Sequence, residues 1–420
     1  MSEIRTVTLE NGLTLLLEPM SGVSSVALHW LLPAGSATDT HDGEGVVALL
    51  GEMLFRGAGG MSSREHSDAL DRLGVRRSNG VSAHHLRLSV TMVGDQLAEA
   101  LPLITSMVTA PTLDEQSLDP VRRLCIQELD SLDDEPQHAV LLKLGARLMP
   151  PPYNRHGYGR REVLESATIE QVREAWRQRF KPQGAILGIA GAFDPDAVVK
   201  QLNDLFRDWT GRSDEPERVG DAARGHEHVT QPTAQVHLAM GFDAPPERDP
   251  QAVLERIAIS VLSGGTSGRL FTEVRQKRSL CYSVYAQYRP GRDEGLITLY
   301  AGTTPERAAE TLAVCQQEID RLSDGAEDAE FQRAIIGLKS HLVMSGESTS
   351  ARASAIARDY FRLGRPRTLE EVTRAIEAVD RMALNAYLAE RNFGAGTVVT
   401  IGPEPIAASE TVASAAPQPG

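Results

Sequence analysis

The histidines, whose side chains are well suited to bind a transition metal, include two close pairs. His84 and His85 are adjacent in SAHHLRL, and adjacent residues on a strand point to opposite faces, so they cannot easily chelate one ion together. His226 and His228 form an H-x-H in GHEHV, a spacing that can hold a metal adventitiously. Because neither pair has a third ligand at a recognisable spacing, we predict that neither is a functional metal site.

A second candidate for chemistry is the Gly-rich stretch SGGTSGRL, residues 263–270. Small residues before a helix can cradle a phosphate with backbone N–H groups. The stretch lacks a GK[ST] ending and does not sit in a parallel βαβ unit with an acidic residue placed to hold a ribose. We therefore expect no nucleotide site here, and a simple turn into a helix is one interpretation of the stretch.

The elements around these residues follow a pattern that occurs twice. LRLSVTMVGDQLAEALPLITSMV and LITLYAGTTPERAAETLAVCQQEI each predict an alternating strand, a turn and an amphipathic helix. AILGIAGAFDP resembles TVVTIGPEP, and each follows a helical segment. Leu101 and Leu312 lie 211 positions apart, and Ile189 and Ile401 lie 212 apart. Two homologous halves explain this offset.

The predicted fold is therefore α+β, with two homologous domains that each carry a mixed, mainly antiparallel β-sheet covered by α-helices. We place the N-terminal domain at 1–210 and the C-terminal domain at 232–408. The stretch 211–231 is charged, contains glycine and has no hydrophobic period, which is typical of a linker. Residues 409–420 contain almost no bulky apolar side chain, which predicts a flexible tail.

Composition and charge exclude several classes of function. The formal net charge of -14 argues against nucleic acid or an anionic membrane as a partner. We identify neither a signal peptide nor an apolar run of the roughly 20 residues needed to span a bilayer. The three cysteines, Cys125, Cys281 and Cys315, are far apart and set among apolar neighbours, so we predict buried free thiols. These features favour a cytoplasmic protein.

The segment EGVVALLGEMLFRG is apolar at helical spacing and ends at Gly57, which predicts a buried helix. With this segment and the repeat, nearly the whole sequence resembles the pitrilysin and insulinase family of zinc metallopeptidases, which includes the subunits of the mitochondrial processing peptidase. Members carry H-x-x-E-H on this helix, where two histidines bind zinc and the glutamate acts as general base. A further glutamate on another helix is the third ligand.

The resemblance can be carried over position by position. Ala48 stands at the first histidine, Gly51 at the base and Glu52 at the second histidine, while Glu128 stands at the distal glutamate. Ala48 has no donor atom and Gly51 has no side chain to accept a proton. The resemblance therefore implies a degenerate motif, no bound zinc and no independent peptidase activity.

Glu52 and Glu128 could in principle hold a hard cation. Two carboxylates without imidazole make a poor zinc site, however. We expect these side chains to be relics of the motif or to pair with nearby cations such as Arg122 or Arg123.

The second half keeps a different family feature. LSGGTSGRLFTEVRQKRSLCYSVYAQY, residues 262–288, resembles the family's Gly-rich turn, helix and strand, with an Arg and a Tyr seven positions apart. Arg275 and Tyr282 match, with Arg275 predicted near a helix end and Tyr282 on the following strand. The resemblance implies that both donate hydrogen bonds to substrate carbonyls and that the phenol stabilises an oxyanion. It also implies that the preceding loop contacts substrate, through Gly264, Gly265 and Ser267.

An isolated Arg near a helix end and an isolated Tyr on a strand are usually structural. Here the whole surrounding stretch matches the family, which favours function. We interpret the chain as the non-catalytic subunit of a heterodimeric zinc peptidase that supplies Arg275 and Tyr282 to a homologous, zinc-bearing partner acting on peptides. No cofactor is expected in this chain, and the zinc would belong to the partner. The alternatives are a structural scaffold and a peptide-binding protein without a peptidase role.

Overall fold

The computed structural model describes residues 3–406, so the predicted tail at 409–420 lies outside the described residues. Period-two patterns rich in β-branched and leucine residues form the strands. These are β1 (Arg5–Thr8), β2 (Thr14–Pro19), β3 (Ser25–Leu32), β4 (Arg76–Val81), β5 (Leu86–Val93), β6 (Ile186–Gly191), β7 (His226–Thr230), β8 (Val236–Ala244), β9 (Cys281–Pro290), β10 (Gly295–Thr303) and β11 (Thr397–Gly402).

The α-helices carry apolar residues at spacings of three and four. They are α1 (Val46–Met53), α2 (Ser63–Arg72), α3 (Leu97–Thr109), α4 (Leu118–Asp134), α5 (Pro136–Leu148), α6 (Arg161–Ser166), α7 (Ile169–Arg179), α8 (Pro195–Leu205), α9 (Ala252–Ser263), α10 (Ala308–Asp320), α11 (Asp328–Gly346), α12 (Thr349–Leu363), α13 (Leu369–Glu377) and α14 (Arg381–Glu390). A π-helical turn spans Phe271–Gln276.

The two sheets repeat one topology. The first has the order β1-β2-β6-β3-β5-β4 and the second the order β7-β11-β8-β10-β9. From β2 onward, each strand of the first sheet has a counterpart in the second. In both, only the first pair of this series is parallel, β2 with β6 and β7 with β11, while the following pairs are antiparallel. The predicted α+β fold with two related, mainly antiparallel sheets is confirmed.

The chain divides into two compact units that do not simply follow the two sequence halves. Among the described residues, the first unit comprises 3–131, 150–221 and 345–368, and the second comprises 132–149, 222–344 and 369–406. Helix α5, from the first half, packs on β8, β10 and β11 of the second sheet, and α12, from the second half, packs on β2, β3, β5 and β6 of the first. Equivalent helices are therefore exchanged between the halves.

Glycines in the sheets admit the exchanged helices. A Cβ atom on Gly188 of β6 would lie 2.4 Å from the carbonyl oxygen of Ala353 on α12. A Cβ on Gly241 of β8 would lie 2.4 Å from Cδ1 of Leu148 on α5. Both distances are shorter than carbon contacts allow, so the bare backbone is what lets each helix approach its sheet.

The segment predicted as a linker is only partly irregular. Its last residues, His226–Thr230, form β7, which pairs in parallel with β11 at the edge of the second sheet. The alternation in HEHVT is too short and too polar to stand out from sequence alone, and the strand gains its place by pairing with the apolar β11.

The three cysteines are buried and free, as predicted.

Candidate functional site

Helix α1, which carries the degenerate motif, has a side-chain cap before its first turn. The carboxylate of Asp39 accepts hydrogen bonds from the N–H of Gly45, at 2.8 Å, and of Val47, at 3.1 Å. Gly45 takes φ +123°, a value that non-glycine residues rarely adopt, and so lets the chain turn into the helix. Burial raises the pKa of Asp39 to about 7, while these two hydrogen bonds act in the opposite direction.

The three motif positions on α1 lie in the first unit. Ala48 and Glu52 stand one turn apart, and Gly51 is buried. The amide Nδ2 of Asn79, on β4, donates to the carbonyl oxygen of Gly51 at 2.8 Å and to Oε1 of Glu52 at 3.0 Å. The Glu52 carboxylate therefore has a neutral amide as its partner, which contributes a hydrogen bond but no compensating charge.

Glu128 lies on α4 with its carboxyl group near that of Glu52. Partial desolvation, followed by the charge of Glu52, raises the pKa of Glu128. Desolvation, followed by the charges of both glutamates, raises the pKa of Cys125 to about 12, so its thiol stays protonated. Of the two arginines considered as possible partners, Arg122 does not pair with these carboxylates. Its guanidinium pairs with Asp119 and donates to the carbonyl oxygens of Leu164 and Ala167.

The residues at the motif positions do not suit zinc. Glu52 and Glu128 supply two carboxylates of like charge, and the positions of a histidine and a general base hold Ala48 and Gly51. Within residues 3–406 there is no group of three or more His, Cys, Asp or Glu side chains arranged to hold a metal ion. Zinc in proteins is bound by tetrahedral sets that usually include imidazole or thiolate, which this site lacks.

We expect the purified chain to contain no stoichiometric zinc and to cleave no peptides by itself, because Ala48 and Gly51 cannot serve as ligand and base. Elemental analysis after dialysis, with a peptide cleavage assay, measures both. The variant Ala48→His/Gly51→Glu/Glu52→His, which restores two imidazoles and a base beside Glu128, is the positive control and should retain zinc. About one tightly bound zinc per native chain, lost on Glu52→Gln or Glu128→Gln, would contradict the prediction.

Arg275 and Tyr282 lie in the second unit, on the elements predicted for them. Arg275 is in the π-helical turn and Tyr282 is the second residue of β9. The backbone N–H of Lys277 donates to the carbonyl oxygen of Thr272 at 2.9 Å, a bond that spans five residues. Such turns occur frequently at functional sites, and this one replaces the regular helix that the sequence predicts.

The Arg275 guanidinium lies between two aromatic rings. Its Cζ atom is 4.8 Å from the centroid of the Phe271 ring and 5.1 Å from that of Tyr282. The Tyr282 side chain is 77% exposed, which is high for an aromatic residue on a strand. Stacking on an arginine stabilises an exposed ring in one position, at about 0.5–1 kcal/mol per contact.

The donors of this pair are unused within the part of the chain that the structure describes. The nearest acidic side chain in sequence, Glu273, pairs instead with Lys277 and Arg278, each at 2.7 Å. These two hydrogen bonds lower the pKa of Glu273. No carboxylate pairs with Arg275 and no hydrogen bond engages the Tyr282 hydroxyl among residues 3–406. A guanidinium and a phenol thus present N–H and O–H donors side by side.

The Gly-rich loop precedes this turn and is exposed at Gly264, Gly265 and Ser267. Gly265 adopts φ +119° with no atom within 4 Å of its Cβ position, whereas a Cβ on Gly264 would lie 2.2 Å from the carbonyl oxygen of Ser260. The loop is anchored where it ends, because Arg269 forms a bidentate pair with Glu330. Contact of this loop with substrate stays a prediction.

Two contacts at these sites were not foreseen from the sequence. The Phe271 ring supports Arg275, and a signal for it exists, since the two residues are four positions apart and can meet on one helix face. The bond from Asn79 to Glu52 joins residues far apart in sequence and has no local signal.

The histidine pairs differ from their predicted setting. His84 and His85 lie in the bend before β5 rather than on a strand. Both rings contact Phe361, at centroid distances of 5.1 and 4.5 Å, so the expectation of opposite faces is wrong. His228 lies on β7, where its Nδ1 atom is 2.8 Å from Oγ1 of Thr400.

Comparison with known proteins places these features in a family. Residues 15–156 match the family described as Insulinase (Peptidase family M16), and residues 166–338 match the Peptidase M16 inactive domain. An uncharacterized zinc protease of Bacillus subtilis is 26% identical over 91% of this chain and 94% of its own length.

Among residues 3–406, no helix combines the length and apolar character needed to cross a bilayer.

Solved structures share the fold. A peptidase M16 inactive domain from Pseudomonas fluorescens superposes with a TM-score of 0.87 at 20% identity, covering 96% of this chain and 98% of that one. A protease from Helicobacter pylori superposes with a TM-score of 0.85 at 18% identity, covering 96% and 100%. The two family matches together span most of the chain, and the repeated sheets and the helix with the degenerate zinc motif agree with them. This protein therefore belongs to peptidase family M16, the insulinase family.

Proposed function

We propose that this chain is the non-catalytic subunit of a heterodimeric zinc peptidase. It supplies Arg275 and Tyr282 to the active site of a homologous partner that carries the zinc and the general base. The observation that carries the proposal is the contrast between the two units. The first has lost a ligand and the base at Ala48 and Gly51, whereas the second keeps an exposed Tyr282 held by an Arg275 that has no carboxylate partner within residues 3–406.

The chemistry of the pair suits peptide hydrolysis. A guanidinium can donate two hydrogen bonds to backbone carbonyl oxygens of an extended peptide and so position it. A phenol beside that guanidinium can donate to the oxygen on which negative charge develops as the scissile carbonyl becomes tetrahedral. The zinc and the base that activate water would come from the partner, so each chain alone would hold half of the groups that the reaction needs.

The protein's other features are consistent with a bacterial cytoplasmic location, which belongs to the same proposal. Its three cysteines are free and buried, as expected in a reducing compartment, and the B. subtilis relative is bacterial. The substrate would be a peptide, and the partner would be about as long as this chain because both derive from the same repeat.

Arg275→Ala should raise the KM of the reconstituted pair more than it lowers kcat. A charge-assisted contact to the peptide backbone is made in the ground state as well as in the transition state, so its loss weakens binding of both. The measurement is steady-state kinetics of the H-x-x-E-H partner alone, with this chain, and with the variant. Arg278→Ala, two residues beyond the same turn and paired with Glu273, is the matched control and should behave like the native chain.

A partner that cleaves equally well without this chain would contradict the proposal. So would Arg275→Ala kinetics equal to those of Arg278→Ala. Either result would favour a structural scaffold or a peptide-binding protein, which need no chemistry at Arg275 and Tyr282.

A further inference from the structure

One face of the first sheet carries an unpaired basic surface. In β5, Arg87, Ser89 and Thr91 alternate with core residues and point to the face on which α12 packs, because Ser89 pairs in register with His29 and bonds to its ring. The residues of the edge strand β4 opposite them share that face. We call this surface the arginine shelf and define it by Arg76, Ser78 and Gly80 on β4, Arg87 and Ser89 on β5, and Arg358 on α12.

The shelf is open to solvent. Arg76, Arg87 and Arg358 are exposed, and Ser78 is exposed beside them. Among residues 3–406, no carboxylate and no hydrogen-bond acceptor engages any of the three guanidinium groups. In contrast, Arg352 on α12 pairs with Glu18. In a chain with 57 acidic and 43 basic residues, three unpaired arginines on one face favour an external anion.

Local packing positions the shelf. The Arg87 guanidinium lies across β4, since its Nη2 atom is 3.0 Å from where a Cβ on Gly80 would be. Leu31, the register partner of Arg87, packs with Ile356 of α12 in one buried cluster, so α12 lies beside this part of the sheet. Arg87 on β5 and Arg358 on α12 are both close enough to His29 for their charges to act on its ring, so the two cations approach the same part of the sheet from two elements.

His29 lies buried beneath the shelf and adds no charge to it. Burial, followed by the positive charges of Arg87 and Arg358, lowers the pKa of His29 to about 4. Its Nδ1 atom is 2.9 Å from Oγ of Ser89, and its buried Nε2 atom has no hydrogen-bond partner in the described residues. The neutral ring holds the Ser89 hydroxyl in place at the centre of the shelf, where it can also meet a ligand.

We propose that the arginine shelf binds an acidic segment of an extended peptide through two or more carboxylates. Arg76 and Gly80 are four residues apart on β4, so the cations at the two ends of the shelf are separated by about 13 Å along the strand. That span exceeds one phosphate or one carboxylate and matches the distance between side chains four residues apart on an extended chain. The identification of this peptide as the substrate of the peptidase pair rests on the proposed function, whereas binding itself does not.

Fluorescence anisotropy with the chain alone tests the inference. The probe is a fluorescein-labelled peptide of alternating Glu and Ser at low ionic strength, where surface charges are least screened. The variant Arg87→Gln/Arg358→Gln should bind it about tenfold or more weakly, because it loses two charge-assisted contacts. Arg64→Gln/Arg207→Gln, the same change at two exposed arginines of the first unit, should bind like the native chain, and a Lys-Ser peptide should not bind.

Each other outcome overturns the inference. Equal weakening by both double variants would mean non-specific attraction, and unchanged affinity in the shelf variant would mean that the shelf is not the site. Complete displacement of the peptide by low concentrations of inorganic phosphate would identify a phosphate site instead. Failure of binding while the pair still requires Tyr282 would remove this inference and leave the proposed function intact.

Discussion

Replacing Tyr282 by phenylalanine should lower the turnover of the reconstituted peptidase pair by on the order of 10²–10³-fold, the loss seen when one oxyanion donor is removed from a hydrolase. The hydroxyl is the group lost, while the ring and its stacking on Arg275, at 5.1 Å, remain. Because the side chain is 77% exposed, the change leaves the core untouched. The measurement is kcat of the zinc-bearing partner mixed with native or variant chain.

Tyr285→Phe is the matched control, since it removes a phenolic hydroxyl from the same strand. The Tyr285 hydroxyl accepts a hydrogen bond from Gln137 within the second unit, so its loss should change turnover little. Both variants should still co-purify with the partner, because an interface of ordinary size does not depend on one hydroxyl. Full activity with Tyr282→Phe would remove the catalytic role of this chain and favour the scaffold.

Arg352→Met should lower the free energy of unfolding of the first unit by about 3–5 kcal/mol, because it leaves the buried carboxylate of Glu18 without its cation. Arg352 and Glu18 are 4% and 2% exposed, and Nε of Arg352 lies 2.9 Å from Oε2 of Glu18. The pair joins the exchanged helix α12 to β2. Urea titration followed by tryptophan fluorescence measures this unit, since Trp30, Trp176 and Trp209 all belong to it.

Arg207→Met provides the comparison, because it breaks an exposed pair with Asp204 on α8 and should change stability by no more than about 1 kcal/mol. Glu18→Gln/Arg352→Met should recover much of the loss, since neither charge then stays buried alone. Equal effects of Arg352→Met and Arg207→Met would show that the pair does not hold α12 on the sheet.

Most strands and helices, and the repetition that relates the two halves, are predictable from sequence patterns alone. The offset between Leu101 and Leu312 corresponds to equivalent helices α3 and α10, and that between Ile189 and Ile401 to equivalent strands β6 and β11. Strand and helix periods are local properties, so they can be read without knowing the fold. The degenerate motif was equally readable, because Ala48 and Gly51 lack donor atoms in any conformation.

The tertiary structure alone decided which sheet each exchanged helix covers. The apolar faces of α5 and α12 predict burial, but an apolar stripe does not specify its partner. The sequence likewise does not indicate that a helix packs against Gly188 and Gly241. The π-helical turn could not be predicted from the sequence either. The spacing of side chains changes little when a few backbone hydrogen bonds span five residues instead of four. Placing Arg275 between Phe271 and Tyr282 depends on that turn and on the strand that follows it, and local sequence cannot specify such a three-dimensional arrangement.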